Sequence, residues 1–591
     1  MSNDDRLRGN GVLEIVIPFY QIWQEMTNEK TLDIYQYRIL TSLSALEELA
    51  DVLKKTIAGV FTNEANVEAC RAETLYIVKM DLMMEKYYRP IANRLKNSLG
   101  IKPKTDADKT RLLSQVQYAI GKMKSTYAQN AMEELKESIF TGKMREMVFY
   151  ANVVASQATH NGWSRQALSE LLRFFRTGET FEEQWGRFKE SILCNEKTLH
   201  DVLINISFQQ QKSEDELDTL QGLEIMEVDI CTYRQAIQEY YMLQDIESLL
   251  NAEKRYFRVR VLAFDVYAAA HKAIRTISNV LNMASFYNLV NAWDLSSVSI
   301  VVINNANTYH KSLNAEQLYK TYDYLDSSGS IFEDTKKVFI DEKKKVLREK
   351  LTGTFGYANI SRASLFQEEK YMNLWIALES LARTKMYQDI ISNVKQTVPA
   401  AMSLRYIYRI IRNYVEDCIR CNIEFDFRDH VIDMKQETKQ KLVRETIEIF
   451  QDDQLYAQLL EKSKVNSLLK YRTEMINNML KNVKELQQKV RNHHDRVEWQ
   501  IQRLYRIRNE IVHSALQNET SLVVYIEHLY DYLATYIAEI VTCMSEGKEK
   551  TFEETLAIIK DNYDVFVEFI EQGDIQLIKE SVLKTGIISL I

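Results

Sequence analysis

Glycine and proline are scarce in this chain, and their scarcity limits the folds that it can adopt. Only 16 glycines and four prolines occur among its 591 residues. Glycine supplies the left-handed backbone of many tight turns and proline interrupts helices, so such a chain has few turns and few helix breaks. Leucine, glutamate, lysine and glutamine, which favour helices, are abundant. The composition predicts a mainly α-helical protein with long helices and short connections.

The length of the chain predicts roughly two to four domains, because one hydrophobic core rarely organises so many residues. Near the N-terminus, apolar residues recur every three or four positions, as at Leu43, Leu46 and Leu49. This spacing predicts amphipathic helices. We therefore interpret residues 1–245 as a helical N-terminal region and a candidate sensor domain.

The sequence pattern changes in the middle of the chain. Residues 256–262 alternate apolar and basic side chains, and residues 298–303 form a β-branched run, so both segments predict strands. A small mixed α/β unit is therefore predicted at residues 246–355. Asp265 precedes a helix rich in small residues. We favour Asp265 as the N-cap of that helix over a carboxylate that faces a ligand at a strand end.

A domain boundary is predicted near residue 355. A polar turn at residues 327–330 is followed by a charged helix that leads to two nearby glycines. Beyond the boundary, apolar periodicity predicts a helical bundle over residues 356–545. An acidic helical tail, residues 546–591, completes the chain and ends in an apolar run.

The bundle contains an arginine, an asparagine and a histidine close together within an amphipathic pattern. Asn509 and His513 are four residues apart and share one face of a helix. Arg508 lies about 140° round the same helix from His513, so it reaches a common phosphate only through its long side chain. Histidine exchanges protons near neutral pH, and arginine offers a planar fork to a phosphate. These residue types suit metal-free cleavage of RNA through its own 2'-hydroxyl.

The run Arg508-Asn509-x-x-x-His513, followed by an aromatic-rich helix, resembles the signature of the HEPN superfamily of helical ribonucleases and nucleic-acid-linked proteins. Residues 370–381 resemble the early helix of HEPN domains in large bacterial defence proteins, including the ApeA-like ones. Glu379 fits the acidic position of that helix. The resemblance covers the C-terminal third of the chain. It implies that His513 is the general acid or base, that Arg508 holds the scissile phosphate, that Asn509 orients either group, and that Glu379 positions one of them.

The resemblance further implies a metal-independent endoribonuclease that cleaves single-stranded RNA, needs no cofactor and leaves a 2',3'-cyclic phosphate. Its expected role is antiviral defence by abortive infection, or a toxin activity. Its expected partners are the RNA, a second copy that forms a dimer through the HEPN domain, and a phage-derived trigger or an antitoxin. The alternative is a non-catalytic helical module that binds RNA, a nucleotide or a protein. An exposed His513 in a basic groove would favour catalysis, and a packed His513 would favour the alternative.

Basic and aromatic side chains near the motif are candidates for RNA binding. Residues 402–421 predict a helix with an apolar stripe and a basic stripe, and Tyr406 and Tyr408 lie where they could stack on bases. The alternative for the basic stripe is a solvated face in which Arg412 pairs with Glu416. The candidate RNA-binding residues are Arg405, Arg409, Arg412, Arg503, Arg506 and Tyr505.

Charge and motif content exclude several classes of protein. The formal net charge of −8 argues against a protein that coats nucleic acid, so RNA contact requires a local basic patch. Phosphate-binding loops, serine elbows and zinc-protease motifs are missing from the sequence. The Cys418 and Cys421 pair lies within a helical pattern, and we assign it to burial rather than to zinc. His493 and His494 point about 100° apart on a helix, so we expect surface residues and no metal site.

The targeting signals of the sequence favour a cytoplasmic protein. Residues 1–10 are polar and charged, unlike a signal peptide. Apolar stretches of about 18 residues, which a membrane-spanning helix requires, do not occur. The six cysteines have no spacing typical of a disulfide framework. We therefore expect a reducing compartment and no membrane partner.

Overall fold

A computed structural model gives the structure of most of the chain. The structure describes residues 4–28, 31, 35, 37–194, 196–208, 228–232, 250, 255–287, 293–294, 299–304, 310–314, 318, 330–364, 366–427, 430–433, 439–514, 522–546 and 551–573. Helices dominate this part of the chain, and a small antiparallel sheet lies between two helical regions in sequence. The prediction of a mainly α-helical, multi-domain protein is confirmed, since three separate hydrophobic cores are present.

The N-terminal region is a set of helices round one core that is rich in aromatic rings. Phe19, Trp23 and Phe188 are buried, and the rings of Trp23 and Phe188 meet edge to face with centroids 5.0 Å apart. The helices are α1 (Asp4–Gly9), α2 (Ile17–Thr27), α3 (Ser42–Ile57), α4 (Glu64–Met80), α5 (Leu82–Lys86), α6 (Arg89–Leu99), α7 (Asp106–Met123), α8 (Tyr127–Thr141), α9 (Met144–Asn161), α10 (Arg165–Glu170) and α11 (Phe181–Leu193).

The sheet is antiparallel and has the strand order β3-β4-β1-β6-β7. Its strands are β1 (Thr198–Ile204), β3 (Val228–Thr232), β4 (Arg255–Ala263), β6 (Ser299–Asn304) and β7 (His310–Asn314), and a separate pair joins β2 (Ser207–Phe208) to β5 (Trp293–Asp294). The two strands expected from the sequence, β4 and β6, are confirmed. The strands β1 and β3 lie before residue 246, so the predicted domain limit is wrong and the mixed unit begins near residue 198.

Helix α12 (Val266–Phe286) covers one face of the sheet through small and aliphatic side chains. Asp265 caps this helix, as predicted, by accepting hydrogen bonds from the backbone N–H groups of Tyr267 and Ala268, each at 2.9 Å. Its other carboxylate oxygen accepts from the Ser164 backbone N–H at 2.8 Å. The cap therefore also ties the mixed unit to the loop that precedes α10.

The C-terminal region is a helical bundle with its own core. Its helices are α13 (Ser330–Ile340), α14 (Lys345–Ala363), α15 (Gln367–Ala382), α16 (Ile390–Arg420), α17 (Lys439–Gln451), α18 (Asp453–Ser463), α19 (Ser467–Lys481), α20 (Val483–Ser514), α21 (Val523–Glu546) and α22 (Phe552–Gln572). A short hairpin of β8 (Glu424–Phe427) and β9 (His430–Asp433) follows α16.

Two predicted limits of the bundle differ from the structure. The boundary near residue 355 is wrong, because α14 runs unbroken through Gly353 and Gly356, and α13 already contributes to the bundle core. The prediction of a tail separate from the bundle is also wrong for residues 552–572, because α22 buries Leu556, Ile559 and Phe566 in the bundle core. The end of the predicted tail, residues 574–591, lies outside the described residues.

Helix α16 begins earlier than the sequence suggests. A start after Pro399 was expected, whereas the helix starts at Ile390 and contains Pro399 inside it. The side chain of Asp389 caps it by accepting from the Ser392 backbone N–H at 2.7 Å. The described helices include none that is long and apolar enough to cross a lipid bilayer.

Candidate functional site

The Arg-Asn-His motif lies in the last turns of α20, the longest of the described helices. One face of α20 is buried in the bundle core through Leu486, Val490, Val497, Ile501 and Leu504. The hydroxyl of Tyr371 on α15 donates to the Leu504 carbonyl at 2.5 Å. The packing of α15 against α20 fixes the position of the turn that carries the motif.

Arg508 and Asn509 are in direct contact. Nη1 of Arg508 donates to Oδ1 of Asn509 at 3.1 Å, and both side chains are partly buried. Arg508 has no carboxylate partner within the described part of the chain, and its buried Nε atom has no hydrogen-bond partner there. A guanidinium group without a counter-ion retains its capacity to bind an anion.

Only the helical backbone of α20 fixes the position of His513 relative to Arg508 and Asn509. Helix α20 continues without a break to Ser514, so the backbone of His513 is helical. Asn509 and His513 therefore share a face, and Arg508 stays about 140° away from His513 round the helix. The side chain of His513 lies outside the described residues, as do residues 515–521.

Glu379 lies beside the motif helix but contacts neither Arg508 nor Asn509 in the described structure. Its Oε2 atom accepts a hydrogen bond from Nε1 of Trp375 at 2.8 Å. The Trp375 ring packs against the Tyr505 ring with centroids 5.8 Å apart. Helix α15 therefore packs against the motif helix, and Glu379 reaches that helix through Trp375. The ring of Tyr505, a predicted RNA-binding residue, is part of this packing.

Arg503 and Arg506 form a buried ion cluster with the N-terminal region, and the expectation of free positive charge at these two residues is corrected. Nε of Arg503 lies 2.9 Å from Oε1 of Glu48, its Nη2 atom pairs with Glu73, and Arg506 pairs with Glu48. The side chains of both arginines are less than a tenth exposed. Burial favours the neutral acid, yet the two arginines lower the pKa of Glu48 to about 2. We name this set the α3–α4–α20 ion cluster.

Two arginines of the predicted basic stripe on α16 are also held by acidic side chains within the bundle, which corrects the expectation that they face RNA. Arg405 pairs with the fully buried Glu539 on α21, and Arg409 binds both oxygens of Asp531 at 3.1 Å. Arg412 stays half exposed, with Nε 3.5 Å from Oε1 of Glu416. The local pair of Arg412 and Glu416, the alternative for this stripe, is confirmed.

Tyr406 and His493 pack together inside the bundle. Their rings are stacked with centroids 3.9 Å apart and an interplanar angle of 6°, and both side chains are buried. The expectation of a surface position for His493 is wrong, because its ring packs flat against the buried ring of Tyr406. His494 stacks in the same way on Tyr563, at 4.5 Å. Tyr406 is therefore not available to stack on a base.

The aromatic-rich helix that follows the motif, α21, packs chiefly against α13, α15 and α16 rather than against α20. Its contact with α20 includes a hydrogen bond from the Tyr532 hydroxyl to Oε1 of Gln500 at 2.5 Å. The bundle core therefore separates most of the two helices.

Metal ligation receives no support in the described part of the chain, where no group of three or more His, Cys, Asp or Glu side chains could hold an ion. Cys418 is fully buried and Cys421 partly buried at the end of α16. Burial raises the pKa of the Cys421 thiol to about 11 and that of Cys418 still further. Protonated thiols are poor metal ligands, in agreement with the assignment of this pair to burial.

The residues that sequence analysis missed are the carboxylates that join α20 to the N-terminal region. In the sequence these carboxylates resemble ordinary acids on a helix surface; they are Glu48, Glu73 and Glu510. Oε1 of Glu510 lies 2.8 Å from Nζ of Lys55. A weak signal did exist, since Arg503 and Arg506 are three residues apart on the face opposite the apolar stripe. Two arginines on an otherwise packed helix indicate a carboxylate partner, but the sequence does not say which one.

No protein-family model matches the chain, and no solved structure is significantly similar to it. A 185-residue part of the chain is 25% identical to part of the DNA mismatch repair protein MSH3 of Debaryomyces hansenii. This similarity covers 31% of the chain and 17% of that protein. The chain thus spans a small fraction of this relative, and the fold defines only its class, a mainly α-helical protein of several domains.

Proposed function

We propose that the C-terminal bundle is a metal-independent endoribonuclease of the HEPN type that cleaves single-stranded RNA. The proposal rests on the surroundings of the Arg508 guanidinium group. This guanidinium contacts the Asn509 amide and lacks a carboxylate partner in the described residues, whereas Arg506 and Arg503, two and five residues earlier, are paired with carboxylates. Such an arginine, beside an asparagine that lies about one turn before a histidine, is suited to a phosphate that gains charge.

In the proposed reaction the RNA 2'-hydroxyl attacks the adjacent phosphorus and the bond to the 5'-oxygen breaks. The phosphate remains on the first nucleotide as a 2',3'-cyclic ester. His513 removes the proton of the 2'-hydroxyl or gives a proton to the leaving 5'-oxygen, and a second copy in a dimer supplies the other histidine. Arg508 stabilises the negative charge on the phosphoryl oxygens, and Asn509 orients Arg508.

The proposal extends to the biological setting on the strength of the HEPN resemblance. It places the protein in the cytoplasm, in antiviral defence or as a toxin, with a phage-derived trigger or an antitoxin as the regulating partner. The N-terminal region would act as the sensor. Its ion pairs with α20 support this part of the proposal, since they join the sensor region to the helix that carries the motif.

A second candidate function is a non-catalytic helical module that binds a nucleic acid or a protein. The pairing of Arg405, Arg409, Arg503 and Arg506 with carboxylates favours it, because these pairs remove positive charge that would otherwise attract RNA. The short similarity to a DNA mismatch repair protein is compatible with a nucleic-acid-linked module of this kind.

Cleavage of labelled single-stranded RNA in the presence of EDTA separates the two candidates. The wild type would be compared with Arg508→Ala and His513→Ala, and with Arg491→Ala as the matched control on the same helix. Arg491 is half exposed and pairs with Glu571. All variants would first be shown to fold equally by circular dichroism.

The ribonuclease proposal expects cleavage by the wild type and the control, and a loss of about a hundredfold or more in the two motif variants. Cleavage that requires a divalent metal, or that survives both motif substitutions, contradicts it. RNA binding without cleavage by any of the four proteins, with dimers present, supports the non-catalytic module.

A further inference from the structure

A cavity of about 160 Å³ lies between the N-terminal region and the C-terminal bundle. Its walls come from α2 and α9 on one side and from α16, α19 and α20 on the other. Several of the side chains that line it are partly exposed, among them Val148, Tyr471 and Met475, so the cavity opens to solvent. We call it the interregion cavity.

The walls of the interregion cavity are mainly apolar. They include the aliphatic side chains of Ile22, Ile410 and Leu468 and the thioether chains of Met26 and Met475. An apolar cavity of about 150 Å³ is large enough to hold a benzene ring. Methionine adapts its shape to the group that it contacts, because its side chain is unbranched and flexible. The cavity therefore suits a ligand whose body is one small ring.

Two of the three charged residues in the described lining are matched by ion pairs. Arg472 pairs with Glu25, which also lines the cavity, and with the buried Asp417. The guanidinium of Arg472 also lies over the Tyr35 ring, 3.8 Å from the ring centre. The third charged residue is Lys489 on α20. Lys489 therefore sets the sign of the charge that a ligand meets.

Lys489 is partly buried and forms no ion pair in the described part of the chain. Burial lowers the pKa of its ammonium group, the charge of Glu485 one turn earlier raises this pKa, and the charge of Arg496 lowers it. A lysine is seldom taken out of water without a partner, because its charge loses hydration. An anion in the interregion cavity supplies a counter-charge to Lys489.

Asn152 on α9 contributes a second polar group from the other helical region. Its Oδ1 atom accepts a hydrogen bond from the Arg38 backbone N–H at 3.1 Å, which orients the amide. Its Nδ2 group makes no hydrogen bond within the described residues. The side chain is partly exposed and lines the cavity. Asn152 thus offers a donor to the same space as the Lys489 ammonium group.

The balance of these groups selects an anion with a single charge. A carboxylate has one charge and two acceptor oxygens, which matches one ammonium group and one amide donor. A phosphate dianion would bring a second charge that the described lining does not balance, and an unbalanced charge is costly to remove from water. The apolar walls require that the rest of the ligand is apolar as well.

We propose that the interregion cavity binds a monocyclic aromatic carboxylate, the chemistry of benzoate. The ring lies among the aliphatic and methionine side chains, and the carboxylate accepts hydrogen bonds from Nζ of Lys489 and Nδ2 of Asn152. The bound ligand would then contact α9 of the N-terminal region and α20 of the bundle together. The proposal does not rest on ribonuclease activity, and its test measures binding alone.

Ligand-observed NMR titration of the full chain tests the proposal. The probes are benzoate, benzamide, which keeps the ring without the charge, and acetate, which keeps the charge without the ring. Lys489→Met removes the ammonium group and keeps the length of the side chain. Lys484→Met is the matched control, an exposed lysine on the same helix outside the cavity. Asn152→Asp keeps the oxygen that accepts from Arg38 and replaces the amide donor with a negative charge.

Benzoate should bind more tightly than benzamide or acetate. Lys489→Met should weaken benzoate about tenfold or more, which is about 1.4 kcal/mol, Asn152→Asp should also weaken it, and Lys484→Met should leave it unchanged. Urea unfolding of each variant separates a loss of binding from a loss of fold. The proposal is overturned if benzoate does not bind, if benzamide or acetate binds as tightly, or if either folded cavity variant binds benzoate like the wild type.

Discussion

Arg503 and Glu48 form a buried ion pair that joins residues 455 positions apart in the sequence, with Nε of Arg503 lying 2.9 Å from Oε1 of Glu48. Glu48 also pairs with Arg506, one turn further along α20. The carboxylate on α3 thus holds two arginines of the motif helix. A change that moves the N-terminal helices would be transmitted to α20 within two turns of Arg508. The α3–α4–α20 ion cluster is therefore a direct mechanical link between the two helical regions.

We predict that Glu48→Gln strongly destabilises the protein. The substitution keeps the size of the side chain but leaves Arg503 with Glu73 alone and removes the carboxylate that pairs with Arg506 in the cluster. Breaking a buried pair in this way commonly costs about 3–5 kcal/mol. The midpoint of urea unfolding measures the effect. Glu14→Gln is the control, because its pair with Arg8 is exposed and should contribute less than about 1 kcal/mol. Similar midpoints for the two variants would contradict a structural role for the cluster.

The same carboxylate should make stability depend on acid pH. The pKa of Glu48 is lowered from 4.5 to about 2 in the folded protein, because its two arginine partners outweigh the effect of burial. Its stabilisation is complete above pH 4.5 and is lost as the pH falls towards 2. We expect the wild type to lose stability more steeply than Glu48→Gln across this window. Unfolding midpoints at intervals of half a pH unit test the point, and parallel curves for the two proteins would refute it.

Glu539 should make the stability of the protein fall as the pH rises towards neutral. Burial raises its pKa from 4.5 to about 7, although the guanidinium of Arg405 acts in the other direction. The folded state therefore holds a proton that the unfolded state releases, so this contribution is present below pH 4.5 and is lost as the pH rises to 7. Glu539→Gln should remove that decline. Thermal unfolding between pH 5 and 8 measures it, and an unchanged slope in the variant counts against the assignment.

Substitutions of Glu379 distinguish a role in positioning Trp375 from a charge at the reaction site. The Trp375 indole N–H donates to Glu379, and a glutamine retains an oxygen that can accept this bond. We expect Glu379→Gln to keep both fold and RNA cleavage, and Glu379→Ala to lose about 1–2 kcal/mol of stability. Urea unfolding followed by tryptophan fluorescence, together with the cleavage assay, gives both measurements. Loss of cleavage in a stable Glu379→Gln variant would show that the negative charge itself is required.

Local patterns in the sequence were sufficient where one segment decides its own structure. The strands β4 and β6 follow from alternation and β-branching, and Asp265 follows from its place before a helix. Strand β1 was missed because its partners, β4 and β6, lie far along the chain. Gly353 and Pro399 misled the prediction of helix limits, because the packing of α14 and α16 outweighs the weak helix preference of single residues.

For the candidate site, the sequence placed the motif on a helix, and the structure adds the contact of Arg508 with Asn509 and the packing of α15 against the motif helix. It did not predict that Arg503 and Arg506 would be neutralised, since an arginine on a helix looks the same whether it faces solvent or a distant carboxylate. The stacking of His493 on Tyr406 was missed for the same reason.

The sequence by itself determined the mainly α-helical class, the central strands and the helix that carries Arg508, Asn509 and His513. These features depend on composition and on periodicity over a few turns, which any short segment contains. Only the tertiary structure decided which arginines keep their charge for a ligand and which are paired within the protein. That choice depends on contacts between helices hundreds of residues apart, and no local pattern specifies the partner of a buried charge.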